Sequence, residues 1–251
     1  MCAEFKYPAA HAHVLQGELT RLCYDLNHGI SPNKEANTFY TGPSPYQIKN
    51  ETLLHLVIRL LCFENNKGLK NVNCMVLLLQ HGANPNLIVT TTKEKPRQTS
   101  TQDTALTLAI KAKKGDFLYT SPVKQLFNNA QEKIQVDMVL NNMSALMIAV
   151  RYNNIEAIQL LLKNGANVNQ TWIGQESNPL SLALNLPDRS EIISVLLANG
   201  ARAFTRITDL DRPAELSGET KEIASIDTKR ALEKIKAGME SQHENLTPSK
   251  P

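Results

Sequence analysis

The side chains of this chain that could carry out chemistry are scattered along it. His11 and His13 are two residues apart, so on a helix they would point to different faces and could not share a metal. The carboxylates Asp103, Asp116 and Asp137 fall in predicted loops with no convergent partner. The sequence contains no GxSxG, HExxH or P-loop motif. We therefore expect no catalysis, no metal and no cofactor, unless an active site is assembled from residues far apart in sequence.

Composition and charge narrow the class of protein. The chain has 251 residues, of which 42% are hydrophobic and 20% charged, values typical of soluble globular proteins. A net charge of +3 is too small to indicate nucleic-acid binding by itself. The sequence has no apolar run long enough for a membrane span and no N-terminal signal peptide. Its four cysteines lack CxxC spacing, which favours free thiols in a reducing compartment. We expect a cytoplasmic monomer.

A glycine-containing string recurs along the chain. It reads His/Asn-Gly-Ala-x-x-Asn at 81–86 and at 164–169, with weaker copies at 28–33 and 199–202. An apolar stripe with helical spacing, Ile155 to Leu162, precedes the second copy. Because glycine adopts a positive φ at little cost, the string predicts the end of a helix followed by a turn.

A second string marks the start of helices. A small polar residue is followed two residues later by Leu and five residues later by Ala or Val, beginning at Thr52, Thr104, Ser144 and Asn178. A polar side chain at this position can cap a helix, and the small Ala lets helices approach closely. The copies are 52, 40 and 34 residues apart, so the unit repeats with insertions of unequal length.

The two strings together resemble ankyrin repeats. The segment 52–57, Thr-Leu-Leu-His-Leu-Val, retains the Thr, Leu and His of the Thr-Pro-Leu-His-x-Ala motif, and 178–180 retains its Pro and Leu. The resemblance implies an all-α solenoid of about five to six helix–turn–helix units that binds proteins without catalysis. It also implies a structural, hydrogen-bonding role for His55.

The domain organisation follows from these strings. We expect an ankyrin-repeat domain over 1–217, C-terminal capping helices over 218–238 and a disordered tail over 239–251. Long fingers at 33–50 and 87–103 are either binding loops or disordered insertions. The repeat units are expected near 8–33, 51–86, 103–137, 143–169 and 177–203, with a cap from 212.

Binding residues are predicted from one register of the repeat. The resemblance implies that the residue seven positions after each capping residue faces a concave groove, and three successive units carry a cation there. This stripe fits an acidic or phosphorylated segment of a protein partner, although exposed helix positions also favour Lys and Arg in general. Exposed aromatic residues would add anchors. The predicted partner-binding residues are Arg59, Lys111, Arg151, Tyr152, Asn185, Trp172 and Tyr40.

The source of the chain is suggested by its 23 asparagines, its degenerate repeats and its polar C-terminal tail. These features resemble Dot/Icm-type secreted ankyrin effectors of intracellular bacteria. The resemblance implies secretion into the host cytoplasm and capture of a eukaryotic host protein. Two alternatives are an enzyme with a hidden active site and a scaffold that binds an anionic ligand through the groove and the basic finger at 93–97. Nucleic acid is the less favoured ligand, and no membrane span is expected.

Overall fold

A computed structural model describes residues 9–16, 18–40, 46–63, 68–93, 99–111, 121–171 and 178–202. The expected cap from 212, the helices over 218–238 and the tail over 239–251 lie outside these residues. The chain divides into two compact units, Met1–Gln135 and Val136–Pro251.

The first unit is built of three helix pairs. The first helix of one pair packs on the first helix of the next, and the second helices pack in the same way, as expected for repeats that bury their apolar faces against their neighbours. The helices are α1 (Ala9–Gln16), α2 (Leu19–Asn27), α3 (Leu53–Phe63), α4 (Gly68–Gln80), α5 (Ala105–Lys111) and α6 (Pro122–Asn129).

The two long fingers of this unit contain β-strands. They form one antiparallel four-stranded sheet in the order β1–β2–β3–β4. Ile48 and Val89 point into the core from this sheet and are almost fully buried. The helix-pair architecture is thus confirmed, and the fingers add β structure that an all-α class does not describe. The strands are β1 (Ala36–Tyr40), β2 (Tyr46–Glu51), β3 (Val89–Lys93) and β4 (Thr99–Asp103).

The second unit starts with a short β-hairpin followed by two helix pairs. Asn141 and Asn142 both have positive φ, 50° and 61°, as the two-residue turn of a tight hairpin requires. First helix packs on first helix and second on second here as well. The elements are β5 (Val139–Leu140), β6 (Met143–Ser144), α7 (Ala145–Arg151), α8 (Ile155–Lys163), α9 (Pro179–Leu184) and α10 (Ser190–Ala198).

The predicted helix starts and stops are confirmed. Each capping side chain accepts a hydrogen bond from the backbone N–H three residues further on, which satisfies a donor that the helix itself cannot pair. The four donor–acceptor distances are 3.5 Å at Thr52, 3.3 Å at Thr104, 3.3 Å at Ser144 and 2.8 Å at Asn178. Each copy of the glycine string has its glycine at positive φ, between 80° and 90°.

A recurring asparagine connects consecutive repeats within each unit. The Asn33 side chain donates to the carbonyl of Gly82 (3.2 Å) and accepts from the N–H of Asn84 (2.7 Å). Asp137 holds the same place in the repeat but its carboxylate only accepts, from the N–H of Asn167 (2.8 Å). The two-bond arrangement recurs from Asn86 to Lys133 and Gln135, and from Asn169 to Gly200 and Arg202.

Three histidines of the first unit form hydrogen bonds within the fold. The Thr52 hydroxyl donates to Nδ1 of His55 (2.8 Å), and Nε2 of His55 donates to the carbonyl of Leu87 (3.0 Å). His55 is fully buried, and this desolvation lowers its pKa to about 4. Burial also lowers the pKa of His11, which contacts the Glu51 carbonyl, whereas His13 contacts Asp25. The predicted role of His55 is confirmed, and His11 and His13 have different partners.

Candidate functional site

The first residue of the predicted cationic stripe is engaged in an ion pair. Arg59 lies on α3, and its Nη2 pairs with Oε1 of Glu51, the last residue of β2. The carboxylate of Glu51 is 0% exposed and the side chain of Arg59 is 13% exposed. A buried carboxylate is costly without a counter-ion, so Arg59 stabilises the repeat itself.

The second residue of the stripe has the same arrangement. Nζ of Lys111 lies 2.5 Å from Oδ1 of Asp103, and the hydroxyl of Thr107 donates to the same oxygen at 2.8 Å. The side chain of Asp103 is 8% exposed and that of Lys111 is 28% exposed. The expectation that Asp103 lies in a loop without a partner is wrong, because Asp103 ends strand β4 and faces the helix that follows.

The third residue, Arg151, differs from the other two. It is the last residue of α7 and is exposed. The residue eight positions before it is Met143, whose sulfur lies 3.6 Å from Nη1 and is a weak acceptor. Among the described residues of the second unit, no carboxylate forms an ion pair with Arg151.

The other predicted binding residues occupy several places. Tyr152 follows Arg151 and is 51% exposed, and Asn185 is exposed at the C-terminal cap of α9. Helix α7 packs against α9, and the axes of packed helices typically lie about 10 Å apart. Arg151 and Asn185 each follow the capping residue of their repeat by seven positions. Tyr40 is the last residue of β1, and Trp172 lies outside the described residues.

Arg189 is a residue that the sequence analysis missed. It precedes α10, and its guanidinium donates to the carbonyls of Val150 (3.1 Å) and Arg151 (3.3 Å) at the end of α7. It also donates to the carbonyls of Pro187 and Asp188 in its own loop. A cation at a helix C-terminus satisfies carbonyls that the helix leaves unpaired. Arg189 therefore fixes the end of the helix that carries Arg151 and Tyr152.

Metal sites and membrane spans have features that are absent from the described residues. They contain no group of three or more His, Cys, Asp or Glu residues placed to hold a metal ion. None of their helices has the length and apolar character to cross a membrane. Cys74 is a buried free thiol, with its pKa raised by burial, and Cys23 is a half-buried one.

Known proteins carry the same repeat. A family model described as "Ankyrin repeats (3 copies)" matches residues 112–207. A putative ankyrin repeat protein of fowlpox virus (strain NVSL) is 31% identical over 135 residues, with 52% of this chain and 39% of that protein covered. The chain contains ankyrin repeats. It spans well under half the length of the viral relative, so the activity of that whole protein does not transfer with the repeats.

Solved ankyrin structures support the fold. The ankyrin repeat domain of Bcl-3, a member of the IkappaB family, matches with a TM-score of 0.55 at 21% identity, covering 79% of this chain and 74% of that one. An ankyrin repeat domain from Acinetobacter baumannii AYE matches with a TM-score of 0.55 at 17% identity, covering 90% and 94%. At such identities the similarity establishes the helical ankyrin fold and nothing finer. Ankyrin repeats are typically protein–protein interaction modules without catalytic activity.

Proposed function

We propose that this chain is a non-catalytic protein-binding module that acts as a secreted effector and captures a host protein in the host cytoplasm. The observation that carries the binding role is the exposed end of α7. There a cation and an aromatic residue, Arg151 and Tyr152, are consecutive exposed residues at the end of a helix whose last carbonyls Arg189 holds. The effector role is supported by the resemblance to Dot/Icm-secreted ankyrin proteins. The module acts as a monomer and needs no cofactor.

The partner presents an acidic or phosphorylated segment to the first helices of the repeats. Arg151 contributes the exposed positive charge, since Arg59 and Lys111 already neutralise buried carboxylates. Charges at the rim of an interface mainly steer association, and most affinity comes from buried aromatic anchors. We propose Tyr152, Trp172 and Tyr40 as those anchors, with Asn185 donating hydrogen bonds beside Arg151.

Affinity purification from a eukaryotic lysate tests this proposal. The full chain is immobilised and compared with Arg151→Glu and with Gln159→Glu, which places the same negative charge on the exposed face of α8. We expect a host protein that co-elutes at near-physiological salt, is reduced by Arg151→Glu and is retained by Gln159→Glu. Charge reversal at Arg59 is unsuitable as a test because it would leave two carboxylates facing each other in the core. The absence of any stoichiometric partner would argue against the proposal.

A further inference from the structure

In three repeats, the residue before the capping residue differs, and with it the state of the cation eight positions later. The cation is either paired with a carboxylate or exposed. In the repeats that begin at Thr52 and Thr104, this residue is a buried acid, Glu51 or Asp103, and the cation pairs with it. In the repeat that begins at Ser144 it is Met143, and the cation is exposed. This repeat has a cation at the same position as the other two, but a thioether where they have a carboxylate.

We propose that Arg151 binds a carboxylate supplied by a protein partner, which takes the pairing role that Glu51 and Asp103 have in their own repeats. This inference rests on the proposed function as a binding module, and it specifies the residue that makes the contact and the chemistry of the ligand. The ligand is an Asp or Glu side chain in an exposed segment of the partner.

The chemistry of the site favours a carboxylate. An arginine guanidinium has five N–H donors in a planar fork that matches the two oxygens of a carboxylate. The sulfur of Met143 engages one of these nitrogens at 3.6 Å, a long and weak contact that an incoming oxygen can displace at little cost. Two repeats of the same chain show that a carboxylate fits opposite a cation at this register.

The surroundings favour a short extended segment as the carrier of that carboxylate. Tyr152, half-exposed next to Arg151, offers an aromatic surface for an apolar neighbour of the acid. Asn185 lies at the equivalent position on the adjacent helix, where its amide can bond to a peptide backbone. Because Arg189 holds the last carbonyls of α7, the backbone under Arg151 is ordered before the partner arrives, which lowers the entropic cost of binding.

The experiment places a carboxylate at position 143 within the chain itself. Met143→Glu recreates the acid–cation pair of the other repeats, so the new side chain competes with the partner for Arg151. Arg151→Gln removes the charge instead, and Gln159→Glu is the control for added negative charge. Random twelve-residue peptides, unphosphorylated and displayed on phage, are selected on the full wild-type chain, and the enriched peptides are then measured by fluorescence anisotropy against each variant.

We expect peptides enriched in Asp or Glu at one position, followed by an apolar residue. Binding should weaken by about tenfold or more in both Arg151→Gln and Met143→Glu, as expected for loss of one interfacial ion pair. Gln159→Glu should bind like the wild type. Circular dichroism of each variant checks the fold. If Met143→Glu does not fold, the affinity of Arg151→Gln for the peptides still tests the inference.

Three results would overturn the inference. The first is that the selected peptides lack acidic residues, and the second is that they bind Arg151→Gln as tightly as the wild type. In either case the chain would remain a binding module that uses another surface. A site that requires phosphate would select no unphosphorylated peptide at all. In that case a host protein captured from lysate would still support the proposed function while the carboxylate inference fails.

Discussion

Arg59 and Glu51 form an ion pair within one repeat, with the carboxylate completely buried and the guanidinium largely so. The pair joins the end of strand β2 to the second turn of helix α3, and thereby connects a finger to the helix that follows it. Arg151 holds the equivalent place in a later repeat and has no such partner among the described residues. The same position of the repeat thus holds a structural cation, Arg59, in one copy and an exposed cation, Arg151, in another.

Neutralising Arg59 should destabilise the protein much more than neutralising Arg151. Arg59→Gln leaves the buried charge of Glu51 without its counter-ion, which typically costs about 3 to 5 kcal/mol. Arg151→Gln removes an exposed charge and should change the free energy of unfolding by about 0.5 kcal/mol or less. Urea denaturation of both variants measures the difference. Similar midpoints for the two variants would mean that the Arg59 pair contributes little.

The stability of the first unit should fall as the pH drops from about 6.5 towards 4. His55 has a folded-state pKa of about 4 against an ordinary value of 6.5, so the unfolded chain takes up its proton first. The stability that neutral, buried His55 contributes is therefore fully present above pH 6.5 and is lost as the pH falls towards 4. A shift of this size corresponds to about 3 kcal/mol, and His11, whose pKa is also lowered, adds to the loss.

Urea denaturation between pH 4 and 7.5 measures this dependence. The control is His55→Gln, which keeps an amide able to hydrogen-bond but cannot titrate. This variant should be less stable at pH 7.5, yet its stability should change less with pH than that of the wild type. An identical pH slope in both proteins would show that His55 is not the group responsible.

The helices and their ends were predictable because their signals are local. A capping side chain such as Ser144 acts on an N–H three residues away, and Gly165 acts on the turn in which it lies. Both recur with the period of the repeat, so each copy supports the interpretation of the others. The same short range made the role of His55 predictable from its place in the motif.

The ion pairs and the sheet were not predicted because they depend on how the fingers fold. The finger at 87–103 is rich in polar Thr, Gln and Lys residues, a composition also found in disordered insertions. The strands are stabilised by pairing across fingers, such as Ile48 opposite Thr91, between residues 43 positions apart. Only that pairing places Glu51 and Asp103 next to their cations. An acid immediately before a capping residue was the available signal, and it can be sought in other repeats.

Asp137→Asn should stabilise the second unit. The asparagines at the same place in other repeats both donate and accept across to the next repeat, whereas the Asp137 carboxylate can only accept. An amide restores a donor towards the carbonyl of Gly165, and one such bond is worth about 0.5 to 1.5 kcal/mol. Thermal denaturation followed by circular dichroism measures the gain.

The converse substitution is the control for that prediction. Asn169→Asp removes the donor to the carbonyl of Gly200 while leaving the acceptor for the N–H of Arg202, and it should lower stability by a similar amount. If Asp137→Asn raised the stability but Asn169→Asp did not lower it, the gain would come from the removed charge rather than from the new hydrogen bond.

Helix α6 should exchange its amide protons faster than α8, which has nearly the same length. Asn154 caps α8 through its side chain and Gly165 ends it at a positive φ, where the N–H of Ala166 bonds back to Leu161. At α6, Ser121 makes no side-chain capping bond and Ala130 continues in extended backbone. Each missing cap costs about 1 kcal/mol, so α6 should open locally at a lower free energy. Hydrogen exchange followed by mass spectrometry measures both helices in one sample, and a segment 122–129 protected as strongly as 155–163 would contradict the prediction.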